Sequence, residues 1–312
     1  MGSLTPPKIP IMDFSNEDLK PGSSSWISTR VQVRKALEEL GCFEVIYDKV
    51  PMEAHQEMFG AMKDLFKLPV ETKIKSVNEV LNYGYIGQDK NIPHHEGIGI
   101  GDAAAIENVQ SFTNLMWPEG NPSFCQTVHS YVHRVLNLEQ MVKRMVFESF
   151  GLEKYVDSSI ESTDYLLRLM VYTPQGSETR GLPAHTDKCF VTVLHQNQIN
   201  GLQVLTKEGE WFPLAPSSPK SFIVMIGESF VAWSNGRLHC PRHHVVMNGL
   251  DTRYAIAMFS FNKGIVETPE ELVDEEHPLL YKPFHHLDLF RFYFSSEKAR
   301  TERYTIQEYC AV

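Results

Sequence analysis

Residues 253–261 read Arg253-Tyr254-Ala255-Ile256-Ala257-Met258-Phe259-Ser260-Phe261. This run is the last of a series of short segments rich in β-branched and aromatic residues, which covers 165–172, 189–195, 202–206, 211–214, 221–226, 230–233, 243–247 and 253–261. Turn-forming glycine, proline and asparagine residues separate the segments. Short strands at this spacing predict an antiparallel sandwich or barrel.

The N-terminal half has a different pattern. Apolar residues recur every three to four positions over 31–40, 52–67 and 124–150, which predicts three helices. A loop and helix cap are expected at 21–25. The stretch 76–120 has no such pattern and is expected to be irregular, and long loops of this kind are often lids or binding loops.

Composition excludes several classes of protein. The formal net charge of −10 argues against a nucleic-acid binder, which needs a basic face. The 5 cysteines form no C-x-x-C pair, so neither a disulfide framework nor a cysteine zinc site is expected. No apolar run approaches the roughly 18 residues of a membrane span, and the N-terminus lacks the features of a signal peptide. We therefore expect a soluble, cytoplasmic protein with no membrane partner.

One cluster of metal-binding residue types stands at the start of the strand-rich region. His185-Thr186-Asp187 is expected to be extended, so that its imidazole and carboxylate point the same way. A third ligand would have to come from His239, His243 or His244. Two histidines and one carboxylate leave three coordination positions open, which is typical of non-haem Fe(II) oxygenases. Because the chain has 13 histidines, the triplet alone could arise by chance.

The choice of the third ligand stays open at this point. His243 and His244 are adjacent on one predicted strand, so only one of them can face the interior of a barrel. Periodicity does not choose between them, and His239 is expected to belong to a turn. A second His-x-Asp triplet, 286–288, lies outside the strand-rich region and is interpreted as structural.

Arg253 is a candidate anchor for an anion. It shares a strand face with Ala255 and Phe259, where a buried guanidinium would be costly unless it met a carboxylate. A dicarboxylate could chelate a metal at one end and bind Arg253 at the other. Alternatively, Arg253 starts its strand at the solvent edge and pairs with Asp251.

Further motifs extend along most of the chain, at 9–14, 36–43, 201–204, 209–211 and 233–238. With the His-x-Asp triplet and Arg253, they resemble the plant Fe(II)- and 2-oxoglutarate-dependent dioxygenases that act on small molecules. Residues 41–45 and 182–188 are most similar to the clade of auxin oxidases, glucosinolate side-chain oxygenases and steroidal-alkaloid hydroxylases. The resemblance implies a mainly β protein with a cupin-like double-stranded β-helix, or jelly-roll, core flanked by α-helices. It divides the chain into four parts: an N-terminal region at 1–120, a long supporting helix at 121–160, the dioxygenase core at 161–265 and a partly helical end at 266–312.

The resemblance also implies roles for individual residues. Iron would be bound by His185, Asp187 and, by alignment with the family motif, His243. The cosubstrate 2-oxoglutarate would be bound by Arg253 and Tyr172, with Ala255 at the serine position of the family's R-x-S motif. Other departures from the family pattern are Met170 and His244, which replace a common asparagine and an arginine. We expect these changes to weaken or re-tune 2-oxoglutarate binding rather than to abolish activity.

The implied activity is hydroxylation or desaturation of a small specialised metabolite or hormone, with O₂ consumed and succinate and CO₂ released. Ascorbate is the expected reductant and a monomer the expected state. Halogenation is disfavoured because Asp187 occupies the position that a halide would need. The expected substrate contacts are the aromatic residues Phe190, Phe259, Tyr83 and Tyr85.

Two other functions are compatible with the sequence. One is an ascorbate-dependent oxidase of the same fold that needs no 2-oxoglutarate. The other is a catalytically weak metabolite-binding or regulatory homologue, which the replacements at Ala255 and His244 suggest.

Overall fold

The computed structural model describes residues 9–77, 83–295 and 305–312. Its helices are α1 (Ser24–Glu39), α2 (Met52–Lys67), α3 (Val70–Lys73), α4 (Ile106–Met116), α5 (Pro122–Ser149), α6 (Val156–Glu161), α7 (Glu228–Trp233), α8 (His286–Ser295) and α9 (Ile306–Cys310). Its strands are β1 (Ile11–Asp13), β2 (Cys42–Ile46), β3 (Tyr85–Ile86), β4 (His95–Gly101), β5 (Thr163–Tyr172), β6 (Thr179–His185), β7 (Val191–Gln196), β8 (Leu202–Leu205), β9 (Trp211–Pro213), β10 (Ser221–Ile226), β11 (His243–Met247), β12 (Arg253–Asn262), β13 (Ile265–Val266) and β14 (Phe284–His285). Within these ranges, no helix has both the length and the apolar character needed to cross a bilayer.

Two facing sheets form the core and confirm the predicted jelly-roll fold. The large sheet has the order β1-β2-β10-β7-β12-β5-β4-β3, and the small sheet has the order β6-β11-β8-β9. All neighbours are antiparallel except β1 and β2. Because β4 hydrogen-bonds to β5, the large sheet crosses two of the expected region boundaries. The four-part division therefore stays a prediction.

The helices cover the outer face of the large sheet. The long helix α5 packs against α1, α2, α4 and β7. Apolar residues of β5 and β12 that point outward, such as Leu167 and Met258, join the α5 residues in one buried cluster. Residues of the same strands that point inward, such as Tyr172 and Ala255, form a second cluster with Val245 of the small sheet. The alternation of side chains along a strand thus separates a helix-packing face from an enclosed inner face.

Pairing among β4, β5, β12 and β7 arranges the inner-face residues in rows. Successive rows are two residues apart along each strand, or about 7 Å. From one end of the barrel to the other the rows are His95–Tyr172–Arg253, Gly97–Met170–Ala255–Gln196, Gly99–Arg168–Ala257–Leu194 and Gly101–Leu166–Phe259–Thr192. The row that contains Arg253 is therefore three steps from the row that contains Thr192.

The three predicted helices are confirmed, and the structure gives their ends. The second matches α2, and the third lies within one or two residues of α5. The first begins earlier than predicted, at Ser24, because Ser23 caps it by accepting a hydrogen bond from the Trp26 N–H. Gly41, just beyond α1, has φ +71°, a left-handed conformation that favours glycine at a helix end.

Two predictions in the core region were wrong. Residues 230–233 were expected to form a strand but lie in α7, a buried helix of 6 residues that is too short to show a helical period in the sequence. Strand β6 was missed because it contains Gly181 and Pro183, which normally indicate loops. Proline is tolerated there because β6 is an edge strand of the small sheet.

The stretch 76–120 is more regular than expected. Apart from 78–82, which lie outside the described residues, it contains β3, β4 and α4. The sequence of β4, His95-Glu96-Gly97-Ile98-Gly99-Ile100-Gly101, has three glycines, and glycines usually weaken a strand. Strand β4 pairs with β5 along its whole length, and these hydrogen bonds compensate for the weakening by glycine.

Candidate metal centre

Three side chains converge where β6 and β11 pair. His185 and His243 are directly opposite each other across these strands, and Asp187 follows His185 by two residues. The carboxylate Oδ1 of Asp187 lies 3.7 Å from the Nε2 atom of each histidine. The three ligand atoms lie within 4.8 Å of one another, as a shared metal ion requires.

Hydrogen bonds hold the imidazoles in one orientation. Nδ1 of His185 lies 2.9 Å from the Pro183 carbonyl oxygen, and Nδ1 of His243 lies 3.1 Å from that of Pro241. A carbonyl only accepts, so each Nδ1 carries the proton and each Nε2 presents a lone pair to the centre. Burial, followed by the proximity of His243, lowers the pKa of His185 to about 4, so that its imidazole is neutral near pH 7.

The carboxylate of Asp187 is held from its other side. The Thr192 hydroxyl donates a 2.6 Å hydrogen bond to Oδ2, which leaves Oδ1 facing the histidines. Sequence reasoning missed Thr192. Its position on the same strand face as Leu194 and Gln196 was the only signal that could have identified it.

A buried ion pair supports the same loop. Lys188 Nζ lies 3.0 Å from Glu228 Oε1, and both side chains are 4% exposed. Thr186, between the two expected ligands, donates its hydroxyl to the same Glu228 oxygen, and the Glu228 N–H donates to the Asp187 carbonyl. The N-terminus of α7 thus fixes the backbone of the His-x-Asp motif.

The three later histidines lie in different surroundings. His243 is buried beside His185, whereas His244 points to the opposite face and stacks on Trp211 with ring centroids 3.8 Å apart. Nε2 of His244 lies 3.1 Å from the Gln203 side-chain oxygen. His239 lies outside the strands and its N–H donates to a carbonyl at the end of α1.

Arg253 is fully enclosed on the inner face. It is 1% exposed, and its guanidinium lies 5.0 Å from the centre of the Tyr172 ring. Nε and Nη2 donate to the side-chain oxygen of Gln196, at 3.2 and 2.8 Å, and burial lowers the pKa of Arg253. The alternative of a solvent-edge arginine paired with Asp251 is therefore wrong. Gln196, which orients the guanidinium, was missed from sequence.

These groups fit the metal and cosubstrate that the sequence implied. Atoms 3.7 Å apart can each lie about 2.1 Å from one ion, and two imidazoles with one carboxylate suit ferrous iron. Among the described residues, Nη1 of Arg253 is a buried donor with no acceptor, as expected for a guanidinium that awaits a carboxylate. Ala255, in the next row, contributes only a methyl group.

Two of the four expected substrate contacts lie near the metal side of the sheet. Phe259 is in the same row as Thr192, and both Phe259 and Tyr83 pack against one apolar cluster at this end of the inner face. Tyr83 also borders a cavity of about 190 Å³. The cavity is lined by Tyr83, Asp164, Phe261, Asn262, Lys263, His285, Leu287 and Phe290.

The other two expected substrate contacts, Phe190 and Tyr85, lie on the helix-packing face of the sheet instead. Phe190 stacks on Phe230 at 4.9 Å within the helix-packing cluster, on the other side of the sheet. Tyr85 donates its hydroxyl to Glu96, which also binds Lys73, again on the helix side. His286, from the second His-x-Asp triplet, is buried and bonded to the backbone of Asn262 and Lys188, as a structural residue would be.

Comparisons with known proteins agree along most of the chain. Residues 163–262 match the model of the 2OG-Fe(II) oxygenase superfamily, and residues 9–120 match the N-terminal model of the non-haem dioxygenases in morphine synthesis. A relative from Arabidopsis thaliana, named probable 2-oxoglutarate-dependent dioxygenase AOP1, is 45% identical over 94% of this chain and 98% of its own.

Solved structures give the same result. The dioxygenase for auxin oxidation from rice is 31% identical, with a TM-score of 0.81 over 98% of this chain and 100% of its own. The Arabidopsis thaliana dioxygenase for auxin oxidation 1, solved with 2-oxoglutarate, is 29% identical, with a TM-score of 0.78 over 87% of this chain and 100% of its own.

Proposed function

This chain belongs to the 2-oxoglutarate- and Fe(II)-dependent oxygenase superfamily, and we propose that it hydroxylates a small plant metabolite or hormone, with succinate and CO₂ as products. It is a 2-oxoglutarate-dependent dioxygenase. The observation that carries the proposal is the convergence of His185, Asp187 and His243 on one point, together with the buried guanidinium of Arg253, whose Nη1 has no acceptor.

The metal would be held by His185 Nε2, Asp187 Oδ1 and His243 Nε2. Iron with bound 2-oxoglutarate supplies dioxygen activation and the oxidation of a C–H bond. The chain itself orients the ligands through Pro183, Pro241 and Thr192. The retained carboxylate of Asp187 favours hydroxylation or desaturation over halogenation.

Arg253 would bind the distal carboxylate of 2-oxoglutarate, with Tyr172 beside it. Gln196 accepts hydrogen bonds from Nε and Nη2, which holds the guanidinium plane still and leaves Nη1 directed away from Gln196. Because Ala255 offers no hydroxyl, Arg253 would carry more of the carboxylate binding than in relatives with serine there.

The substrate would enter beside Phe259 and Tyr83, whose aromatic surroundings suit an apolar or aromatic body. Relatives named for auxin oxidation make a plant hormone of that kind a reasonable first candidate. We also propose O₂ as cosubstrate, ascorbate as the reductant that maintains Fe(II), and a monomer in the cytoplasm. The five free thiols suit a reducing compartment.

The test uses anaerobic titration of the purified protein. Wild-type protein with Fe(II) and 2-oxoglutarate is expected to give a weak visible charge-transfer band. Arg253→Ala should lose the band at the same concentrations, whereas Arg144→Ala, which removes a surface arginine paired with Asp157, should keep it. Equal bands in wild type and Arg253→Ala would remove Arg253 from this role.

Two further measurements separate the alternative functions. Succinate released in step with substrate oxidation would exclude an ascorbate-dependent oxidase, which consumes no 2-oxoglutarate. Metabolite binding without iron, together with no turnover in extracts supplied with Fe(II), ascorbate and 2-oxoglutarate, would favour a binding or regulatory protein.

A further inference from the structure

The cavity of about 190 Å³ lies at the opposite end of β12 from Arg253. Two of its lining residues, Asp164 and Phe261, pair across β5 and β12 and form the inner-face row that follows the row of Phe259. Arg253 and Phe261 are separated by about 27 Å along the extended strand. The cavity is therefore not part of the site proposed for 2-oxoglutarate.

Two residues of the cavity wall carry a buried polar atom without a partner. Among the described residues, Oδ1 of Asp164 and Nδ1 of His285 are enclosed and form no hydrogen bond. A buried polar atom that stays unpaired is costly, and native proteins leave few such atoms. Two of them on the wall of one cavity indicate that this space receives polar groups, from a ligand or from water.

The charges around the cavity favour a cation over an anion. Burial, followed by the nearby charge of Asp102, raises the pKa of Asp164, and Lys263 acts in the opposite direction. Burial and then the charge of Asp164 raise the pKa of Tyr83, which places this carboxyl group beside the Tyr83 ring. Lys263 is exposed, so its charge is screened by water. A cation inside the cavity would stabilise the ionised carboxylate more strongly.

Three aromatic rings line the cavity, those of Tyr83, Phe261 and Phe290, and together they are called the aromatic wall. The Phe290 ring is 5.4 Å from Phe261 and 6.1 Å from Tyr83 between centroids, at interplanar angles of 85° and 88°. Aromatic faces attract an ammonium group, and several rings at steep angles around one space are typical of sites for organic cations. Leu287 adds an aliphatic surface, which suits the hydrocarbon part of such a ligand.

The aromatic wall is connected to the metal centre through a short series of contacts. Phe261 and Phe290 belong to the same apolar cluster as Cys189. The Cys189 thiol lies 3.2 Å from the hydroxyl of Thr192, which donates to the metal-binding carboxylate of Asp187. The cavity therefore adjoins the metal end of the inner face, where the substrate is proposed to enter.

We propose that this cavity binds the protonated amino group of a small molecule with an apolar body. Oδ1 of Asp164 would accept a charge-assisted hydrogen bond from the ammonium group, and the aromatic wall would enclose it. An ammonium group has three donors and no acceptor, so it can satisfy the buried oxygen without leaving an acceptor of its own unpaired. The amine is part of the oxidised substrate or a separate ligand, and the assays below distinguish these two sources.

The experiment compares amines with alcohols of the same carbon skeleton. The probes are 2-phenylethylamine, tryptamine and 3-methylbutylamine, each against the corresponding alcohol. Binding is measured by titration calorimetry at pH 7 on protein supplied anaerobically with Fe(II) and 2-oxoglutarate. In wild type, at least one amine should bind about tenfold or more tightly than its alcohol, because a hydrogen bond between charged groups is stronger than one to a hydroxyl.

Two variants change different parts of the site. Asp164→Asn keeps the shape of the side chain and removes its charge, so the ratio of amine to alcohol affinity should fall to near one. Phe290→Leu keeps an apolar surface and removes a ring, so the amine affinity should fall by roughly 2- to 30-fold and the alcohol affinity by less. Asp157→Asn is the matched control, since Asp157 is an exposed carboxylate that pairs with Arg144, and it should keep the wild-type ratio.

Three results would overturn the proposal. Equal binding of amine and alcohol in every wild-type pair would mean that the cavity has no preference for a cation. The absence of binding by any amine would mean that it holds water alone. A wild-type ratio that persists in Asp164→Asn would place the amine at another site. Loss of the charge-transfer band from wild type would instead count against the proposed function, because calorimetry reports amine binding whether or not the band forms.

Aerobic assays identify the source of the amine. Succinate release that rises as the bound amine saturates the site, and that does not rise in Asp164→Asn, would identify the amine as part of the oxidised substrate. Succinate release that stays constant or falls as the wild-type site fills would identify a separate ligand. Either result supports a site for amines in the cavity.

Discussion

Thr192 Oγ1 donates a 2.6 Å hydrogen bond to Oδ2 of Asp187, and this bond decides which carboxylate oxygen faces the metal position. The other oxygen, Oδ1, is 3.7 Å from both histidine Nε2 atoms. A carboxylate free to rotate would offer either oxygen and would lose rotational freedom on binding a metal. Thr192 removes that freedom in advance.

Thr192→Val should therefore weaken iron binding while keeping the shape of the core. Loss of one such outer hydrogen bond typically lowers metal affinity by about 10- to 100-fold. The measurement is anaerobic Fe(II) titration of the purified protein. Thr113→Val is the matched control, because Thr113 is buried in α4 and its hydroxyl bonds only to its own helix. Equal Fe(II) affinities in the two variants would contradict the assigned role.

Ala255→Ser should tighten 2-oxoglutarate binding. The added hydroxyl restores the donor of the R-x-S motif, and a hydrogen bond of about 1 kcal/mol corresponds to about a fivefold lower Kd. Titration of the charge-transfer band measures this change directly. Ala257→Ser, one row further from Arg253, should have no such effect. A weaker affinity in Ala255→Ser would mean that the buried site has no room for the hydroxyl.

Lys188→Met should destabilise the protein by about 3–5 kcal/mol, because it leaves Glu228 buried without its cation. The double variant Lys188→Met with Glu228→Leu should lose less than the sum of the two single variants, since neither charge is then left unpaired. Urea denaturation of wild type, the two single variants and the double variant gives the coupling energy. Additive losses would show that the pair does not act as a unit.

The stability of the metal-free protein should fall with acid. His55 is 2% exposed beside His195, and burial lowers its pKa to about 4 from an ordinary value of 6.5. Because the folded pKa is the lower one, the unfolded chain binds the proton more readily. The contribution of His55 to the free energy of unfolding is therefore fully present above about pH 6.5, and it is lost as the pH falls toward 4. For His55 the loss at pH 5 is about 2 kcal/mol.

His55→Leu should flatten this pH dependence. The test is urea denaturation of metal-free wild type and variant at pH 5 and pH 7. The readout is the difference between the free energies of unfolding at the two pH values. His133→Gln, at an exposed histidine of α5, serves as the control and should behave as wild type. An unchanged difference in His55→Leu would place the acid sensitivity elsewhere, for instance at His195 or His286, whose pKa values burial also lowers.

The sequence predicted the local features well where a periodic pattern was long enough. Helices α2 and α5 were predicted closely because apolar spacing repeats over many turns. Short or glycine-rich elements defeated the same reasoning. Helix α7 has only 6 residues, too few to show a period. Strands β4 and β6 contain residues that normally break strands, and they are regular because they pair with neighbouring strands.

The site divides in the same way. The sequence by itself determined the family, the jelly-roll core and the His-x-Asp motif, because these depend on residue types at short spacing along the chain. Residue spacing left His243 and His244 equivalent, and only the resemblance to the family indicated His243; the tertiary structure puts His243 beside His185 and Asp187. Only the tertiary structure showed that Arg253 is buried against Gln196 and that Phe190 and Tyr85 lie on the helix side. Those results depend on strand register, which decides the face of each side chain through contacts between residues far apart in sequence.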